Sequence, residues 1–252
     1  MIKQILLGDF SRSQLKRYII FHAVIVWLFV MIAWLFYPPA EYSIMEHTFS
    51  YLGSFDADRN PEGWYFFSVA LICMGILFIP LVLYRARKIA PIEKGSVVII
   101  TFLFIIGCLG MAMVGIFPDT GVDFFADLEN RQMHNLMAAL GFGGFALAII
   151  WESLLMGKDR FKRWPGKTNQ TGKQLLNHQK LQIPYIIQYL LIILTGIFVG
   201  GWEIVYPIMK ENDPSLSHWP GVGVFSFPLW EWILIAYLFG FMYLSAWFLA
   251  EE

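Results

Sequence analysis

Apolar and polar residues do not alternate along this chain; they come in blocks. Six blocks are almost wholly apolar, at about 18–37, 64–84, 97–117, 134–156, 183–209 and 224–250. Each is long enough to cross a hydrocarbon core of about 30 Å. Backbone amides find no water in lipid, so each block is predicted to be a helix. Transmembrane strands would show period-two alternation, and no block does. Ahead of the first block, residues 1–16 mix Ile2, Ile5, Leu6 and Phe10 with Lys3, Asp9, Arg12 and Lys16. That mixture predicts a short amphipathic helix at the interface. It is not a signal peptide, because the apolar run that follows is too long and has no small-residue cleavage site. The expected architecture is all-α: a cytoplasmic N-terminal segment, 1–16, and one six-span domain, 17–252. No internal repeat or second domain is visible.

Composition strengthens the membrane reading. Hydrophobic residues make up 58% of the chain and charged ones 15%, against about a quarter charged in soluble domains. Trp34, Tyr37, Trp64, Tyr65, Trp151, Trp202, Tyr206, Trp230 and Trp232 fall near block ends, where an interfacial aromatic belt belongs. Charge then orients the bundle. The N-terminus and the segments after the second and fourth blocks hold fifteen of the eighteen Lys and Arg residues, leaving Arg59, Arg131 and Lys210 for the other side. The bias predicts both termini in the cytoplasm. A net charge of −1 and no basic stripe with interleaved aromatics argue against a nucleic-acid partner. Cys73 and Cys108 lie within apolar blocks and read as small buried hydrophobes. Gly107, Gly110, Gly141, Gly143, Gly144, Gly196 and Gly200 mark faces where helices approach closely. Pro80 and Pro228 are candidate kinks.

Ionisable groups at span ends need a reason to be there. On the outer side these are Glu46 and His47 with Ser50, Asp119 closing the third span, His134 opening the fourth, Glu203 in the fifth and Glu231 in the sixth. Several chain segments thus send acid or imidazole groups to one depth, and Asp119 and His134 are expected within direct or one-water hydrogen-bonding range, with at least one of Glu46, His47 or Glu231 beside them. Three readings stay open: a structural network, a ligand-binding pocket, and a metal site of His47, Asp119 and His134. Ser50, His47 and Asp119 have the residue types of a nucleophile triad, but no Gly-x-Ser-x-Gly elbow accompanies them. No catalytic residue is assigned, whether the protein is an enzyme stays undecided, and a divalent metal is the cofactor candidate. His22 and Glu152, near cytoplasmic span ends, read as packed or interfacial groups rather than site members.

Several motifs together carry a resemblance. They are His47-Thr48-Phe49-Ser50-Tyr51-Leu52-Gly53, Asn60-Pro61-Glu62, Gly115-Ile116-Phe117-Pro118-Asp119, His134-Asn135 and Trp230-Glu231-Trp232, in that order. The chain resembles a six-span family of prokaryotic membrane proteins of unknown function. That family is similar to the damage-regulated autophagy modulator and FGF-receptor-activating proteins. The resemblance runs from about Tyr18 to Ala250 and implies a multi-pass protein of a prokaryotic plasma membrane, patterned on its outer side. Its eukaryotic relatives are associated with lipid handling, and it implies no catalytic residues. The functional expectation is an outward-facing polar pocket that binds a lipid headgroup, a small polar solute or a membrane protein partner. The alternative is a membrane-embedded, metal-dependent hydrolase using the same cluster. A transporter ranks third, because the spans show no paired halves with broken helices.

Overall fold

Ser11 opens the first long helix with a capping box. Its hydroxyl accepts from the Gln14 amide at 3.3 Å, and the Gln14 side chain accepts from the Ser11 amide at 2.8 Å. The helix runs Arg12–Phe36 and stops before Pro38. The structure, a computed structural model, describes residues 2–38, 42–125, 128–162, 187, 190–191, 193–195, 208 and 227–249. Its helices are α1 (Ile2–Leu6), α2 (Arg12–Phe36), α3 (Trp64–Ile89), α4 (Lys94–Ile116), α5 (Asn130–Lys162) and α6 (Phe227–Leu249). Five of these, α2 to α6, have the length and apolar composition to cross a membrane. The block at 183–209, with Gly196, Gly200 and Glu203, lies outside the described residues except for scattered helical positions.

Two details depart from the expected pattern. The fourth block extends as helix well past 156, because the first breaker after Gly157 is Pro165 and the charged residues between tolerate a helix. At about 1.5 Å per residue, α5 outreaches the hydrocarbon core, so its charged end projects beyond it. The short acidic connection before α5 is a small antiparallel hairpin, Asp123–Phe125 with Leu128–Glu129.

Small residues bring the helices together. A Cβ on Gly110 would stand 2.5 Å from the Gly141 amide nitrogen, and one on Gly144 would stand 2.6 Å from that of Gly107. The backbones of α4 and α5 therefore meet at glycine pairs, as lipid-embedded helices do when packing rather than water exclusion joins them. Gly75 and Gly115 bring α3 to α4 in the same way. Phe78 of α3 is fully buried, its ring 4.4 Å from His22 of α2, 6.1 Å from Phe145 of α5 and 5.5 Å from Tyr243 of α6. The outer faces stay apolar: Leu140, Leu147 and Leu154 recur every seven residues on α5 and are all exposed. A helix apolar all round suits lipid. Cys73 and Cys108 are free.

Pro80 removes an amide donor inside α3. In the same turn, the Leu77 carbonyl accepts from the Tyr18 hydroxyl at 2.8 Å. Gly8, between α1 and α2, packs against this turn with φ +68°; a Cβ there would meet the Pro80 carbonyl oxygen at 2.5 Å. The bundle thus has a basic end, with α1, the 90–93 turn and the end of α5. Its acidic end carries the 37–63 and 117–129 connections.

Candidate functional site

The site at the acidic end begins with a single 3-10 helix, Phe49–Gly53. Three contacts hold its entry. The Tyr42 hydroxyl donates to the Thr48 carbonyl at 3.0 Å, Thr48 Oγ1 lies 2.9 Å from Ser50 Oγ, and Glu231 of α6 accepts from the Phe49 amide at 2.9 Å. Burial pushes the Tyr42 phenol up, against the opposing pull of the Trp232 indole N–H, which donates to it at 3.1 Å. The phenol stays protonated and keeps its hydrogen bond. The 3-10 helix is tied in turn to α2 by Asn60. That side chain is fully buried and donates to the Leu52 and Ala33 carbonyls at 2.8 and 3.0 Å. Ala33 lies in the last turn of α2, where carbonyls lack helical partners.

Asp119 follows Pro118 at the end of α4 and is buried. One carboxylate oxygen accepts from Arg59 Nη1 at 2.8 Å and from Ser50 Oγ at 3.2 Å; the other accepts from Arg131 Nε at 2.9 Å. Asp56 closes the ring. It accepts from Arg131 Nη2 at 3.0 Å and from the Thr120 hydroxyl at 2.5 Å, with Arg59 Nε at 3.9 Å. The Arg59 guanidinium also lies 4.0 Å over the Tyr51 ring. Two carboxylates and two guanidinium groups thus clasp the α2–α3 connection to the α4–α5 connection and the first turn of α5.

The expected partners of Asp119 are therefore corrected. Its direct side-chain partners are two arginines and Ser50, with no direct bond to the imidazole of His134. Guanidinium matches carboxylate geometry and keeps its charge when partly buried. His134 is buried and donates to the Phe117 carbonyl at 2.8 Å, just past the end of α4. A carbonyl only accepts, so Nδ1 carries the proton. His47 Nδ1 accepts from the Ser43 amide at 3.2 Å, and its ring sits among Tyr37, Tyr42 and Tyr51. Glu46 is exposed. Of the sequence candidates, the structure joins Ser50 to Asp119, docks Glu231 on the neighbouring amide, and leaves His47 and His134 on backbone groups. Glu203 lies outside the described residues.

No nucleophile–base pair follows, because Ser50 faces a carboxylate and Thr48 rather than His47. Among the described residues no three His, Cys, Asp or Glu side chains come together to hold a metal, so His47, Asp119 and His134 are not a ligand set. Arg131 uses Nε and Nη2, and Arg59 uses Nη1 in hydrogen bonds. Their remaining terminal nitrogens meet no acceptor among the described residues, and the Arg131 side chain is 38% exposed.

A second charged centre lies one turn inside the basic end. Arg85 of α3 pairs with Glu152 of α5; their side chains are 2% and 0% exposed. Arg85 also donates to Met242 Sδ at 2.9 Å and lies over the rings of Phe104 and Phe241. His22, also buried, meets the Tyr243 hydroxyl at 2.7 Å.

The fold defines a multi-pass integral membrane protein whose acidic end is closed by a four-charge clasp. Within that class, residues 21–172, more than half of the chain, match a family described as "Protein of unknown function (DUF998)", and the chain belongs to that family. The match holds all four clasp residues as well as Arg85 and Glu152; Glu231 lies beyond it. No solved structure matches the chain.

Proposed function

We propose that this protein is a six-span binding protein of the plasma membrane, with both termini cytoplasmic and the clasp facing outward. The clasp recognises an anionic headgroup or a small anionic solute. The asymmetry of Lys and Arg supports the orientation. The likeness of the motifs to the autophagy-modulator and receptor-activating superfamily supports a lipid-linked role. One observation carries the binding reading: Asp119 holds two guanidinium groups side by side at the membrane boundary, and each keeps unused donors. Asp56 is 26% exposed at its side chain and occupies the place an incoming phosphate would take on Arg131. A displaced Asp56 would be stabilised by water, so the exchange costs little.

Hydrogen exchange of the protein in nanodiscs tests this reading. Phosphatidylglycerol should slow exchange across residues 54–62 and 118–131 relative to phosphatidylcholine, and Arg131→Gln should abolish the difference. A folded Arg131→Gln protein that keeps the difference, or a wild-type protein without one, refutes the reading. Inorganic phosphate added to phosphatidylcholine discs separates a free solute from a headgroup. Orientation is checked by thiol labelling of intact cells: Asn169→Cys should be protected and Asp213→Cys should react.

A further inference from the structure

A groove of about 650 Å³ opens at the basic end, between the last turns of α3 and the first turns of α4. Leu83 and Ala86 of α3 and Ala90, which caps its end, line one side; Val97, Val98 and Phe102 line the other from α4. The two alanines hollow the α3 wall. The hydroxyl of Thr101 donates to the Val97 carbonyl of its own helix at 2.7 Å, so it does not break the apolar surface. Two cations complete the lining, Arg87 from α3 and Lys94 from α4. They sit where α3 ends and α4 begins, at the depth of headgroups rather than acyl chains. The volume is that of a ligand site rather than a packing defect.

We propose that this groove holds one anionic glycerophospholipid, with an acyl chain along the apolar walls and the phosphate against Arg87 and Lys94. Charge complementarity selects this occupant. Lys94 is exposed and has no carboxylate within 4.0 Å among the described residues. Arg87, 48% exposed at its side chain, donates to the Leu7 carbonyl and pairs with the exposed Asp9 at 3.6 Å. That pair is solvated and leaves much of the guanidinium charge uncompensated. A second, smaller groove of about 330 Å³ shows the contrast. It is lined by Trp151, Leu154 and Leu155, but its charges, Lys158 and Glu93, pair with each other at 2.9 Å. Of these two grooves, formed by described residues, the larger combines an apolar trough with net positive charge. The site lies at the opposite end from the clasp and does not depend on the clasp's function or on which leaflet it faces.

Native mass spectrometry of the full chain, titrated separately with dioleoyl phosphatidylglycerol and dioleoyl phosphatidylcholine, tests the proposal. The wild-type protein should retain phosphatidylglycerol in preference. Each basic residue near an anionic headgroup contributes roughly a factor of five. Lys94→Gln should therefore weaken phosphatidylglycerol binding at this groove roughly fivefold, and Arg87→Gln with Lys94→Gln roughly thirtyfold, with loss of the groove's share of the headgroup preference. Ala86→Phe fills the trough and should remove the tightly held lipid while both cations remain. The same losses should appear in an Arg131→Gln background, where any lipid held by the clasp no longer contributes. Equal retention of the two lipids by the wild-type protein overturns the proposal. So does unchanged phosphatidylglycerol binding in Lys94→Gln, an exposed site whose substitution leaves the fold in place.

Discussion

Asp119 and Glu152 are both carboxylates held by arginine near the ends of the bundle, but their surroundings differ. Asp119 shares two guanidinium groups with Asp56, accepts a hydroxyl from Ser50, and sits beside an arginine that reaches water. Glu152 and Arg85 are closed off from water, among Phe104, Phe241 and Met242. Coulomb attraction is several-fold stronger in the second setting, and so is the desolvation cost of each charge. On the binding reading proposed above, the acidic-end centre exchanges one partner for an incoming anion, since water and the remaining charges cushion what is released. The Arg85–Glu152 pair cannot exchange without stranding a charge. It is a fixed link between α3 and α5.

The largest effect should come from breaking the buried pair. Glu152→Leu leaves the Arg85 guanidinium among aromatic rings, and loss of one partner of a buried ion pair costs about 3–5 kcal/mol. Thermal unfolding in detergent should show a large drop in melting temperature or no folded protein. Arg85→Met combined with Glu152→Leu should restore most of the stability, because apolar replacement of both partners is close to neutral. A double variant as unstable as the single one would mean that the pair does more than neutralise itself.

Asp119→Asn should cost less. The amide keeps the shape but loses the charge, and hydrogen bonds to charged groups contribute about 1.5–3 kcal/mol. Asp56 remains within reach of both arginines and absorbs part of that loss. Salt sharpens the comparison. Raising ionic strength to 1 M shortens the Debye length to about 3 Å. That should narrow the gap between the wild-type and Asp119→Asn melting temperatures, while the Glu152→Leu gap stays as it was. Equal salt responses at the two ends would erase the distinction between them.

Much of this fold is legible in the apolar blocks. Five of the six expected blocks contain described helices of membrane-spanning length. The glycines at 107, 110, 141 and 144 also announced the α4–α5 packing, because a backbone can approach only where side chains are absent. The clasp was half legible. Pro118-Asp119 and the Ser50 segment pointed to one place, and Ser50 does reach Asp119. Arg59 and Arg131 were read only as exceptions in a charge count. Their signal was there: cations stranded on an acid-rich side have carboxylates to meet. That His134 turns to a backbone group is not legible in hydropathy, which does not show where a helix end offers a carbonyl, as Phe117 does here. Arg85 was hidden by its neighbours. Arg85 and Arg87 stand about 200° apart on a helix, so one turns into the bundle and the other out, and a loop charge count treats them alike.

The smallest effect belongs to the exposed pair at the basic end, and it calibrates the other two. Lys158 and Glu93 meet at 2.9 Å, with side chains 56% and 44% exposed. Exposed ion pairs contribute about 0.2–1 kcal/mol, because water solvates the separated charges nearly as well as they solvate each other. Lys158→Gln should therefore shift the melting temperature only slightly, and the shift should vanish in high salt. The three variants should then order as Glu152→Leu, Asp119→Asn and Lys158→Gln, following burial rather than distance, since the N–O separations at Asp119 and at Lys158 are nearly the same. If Lys158→Gln costs as much as Asp119→Asn, the acidic-end clasp is no stronger than an ordinary surface pair. In that case its arginines would not be held firmly enough to form a preorganised anion site.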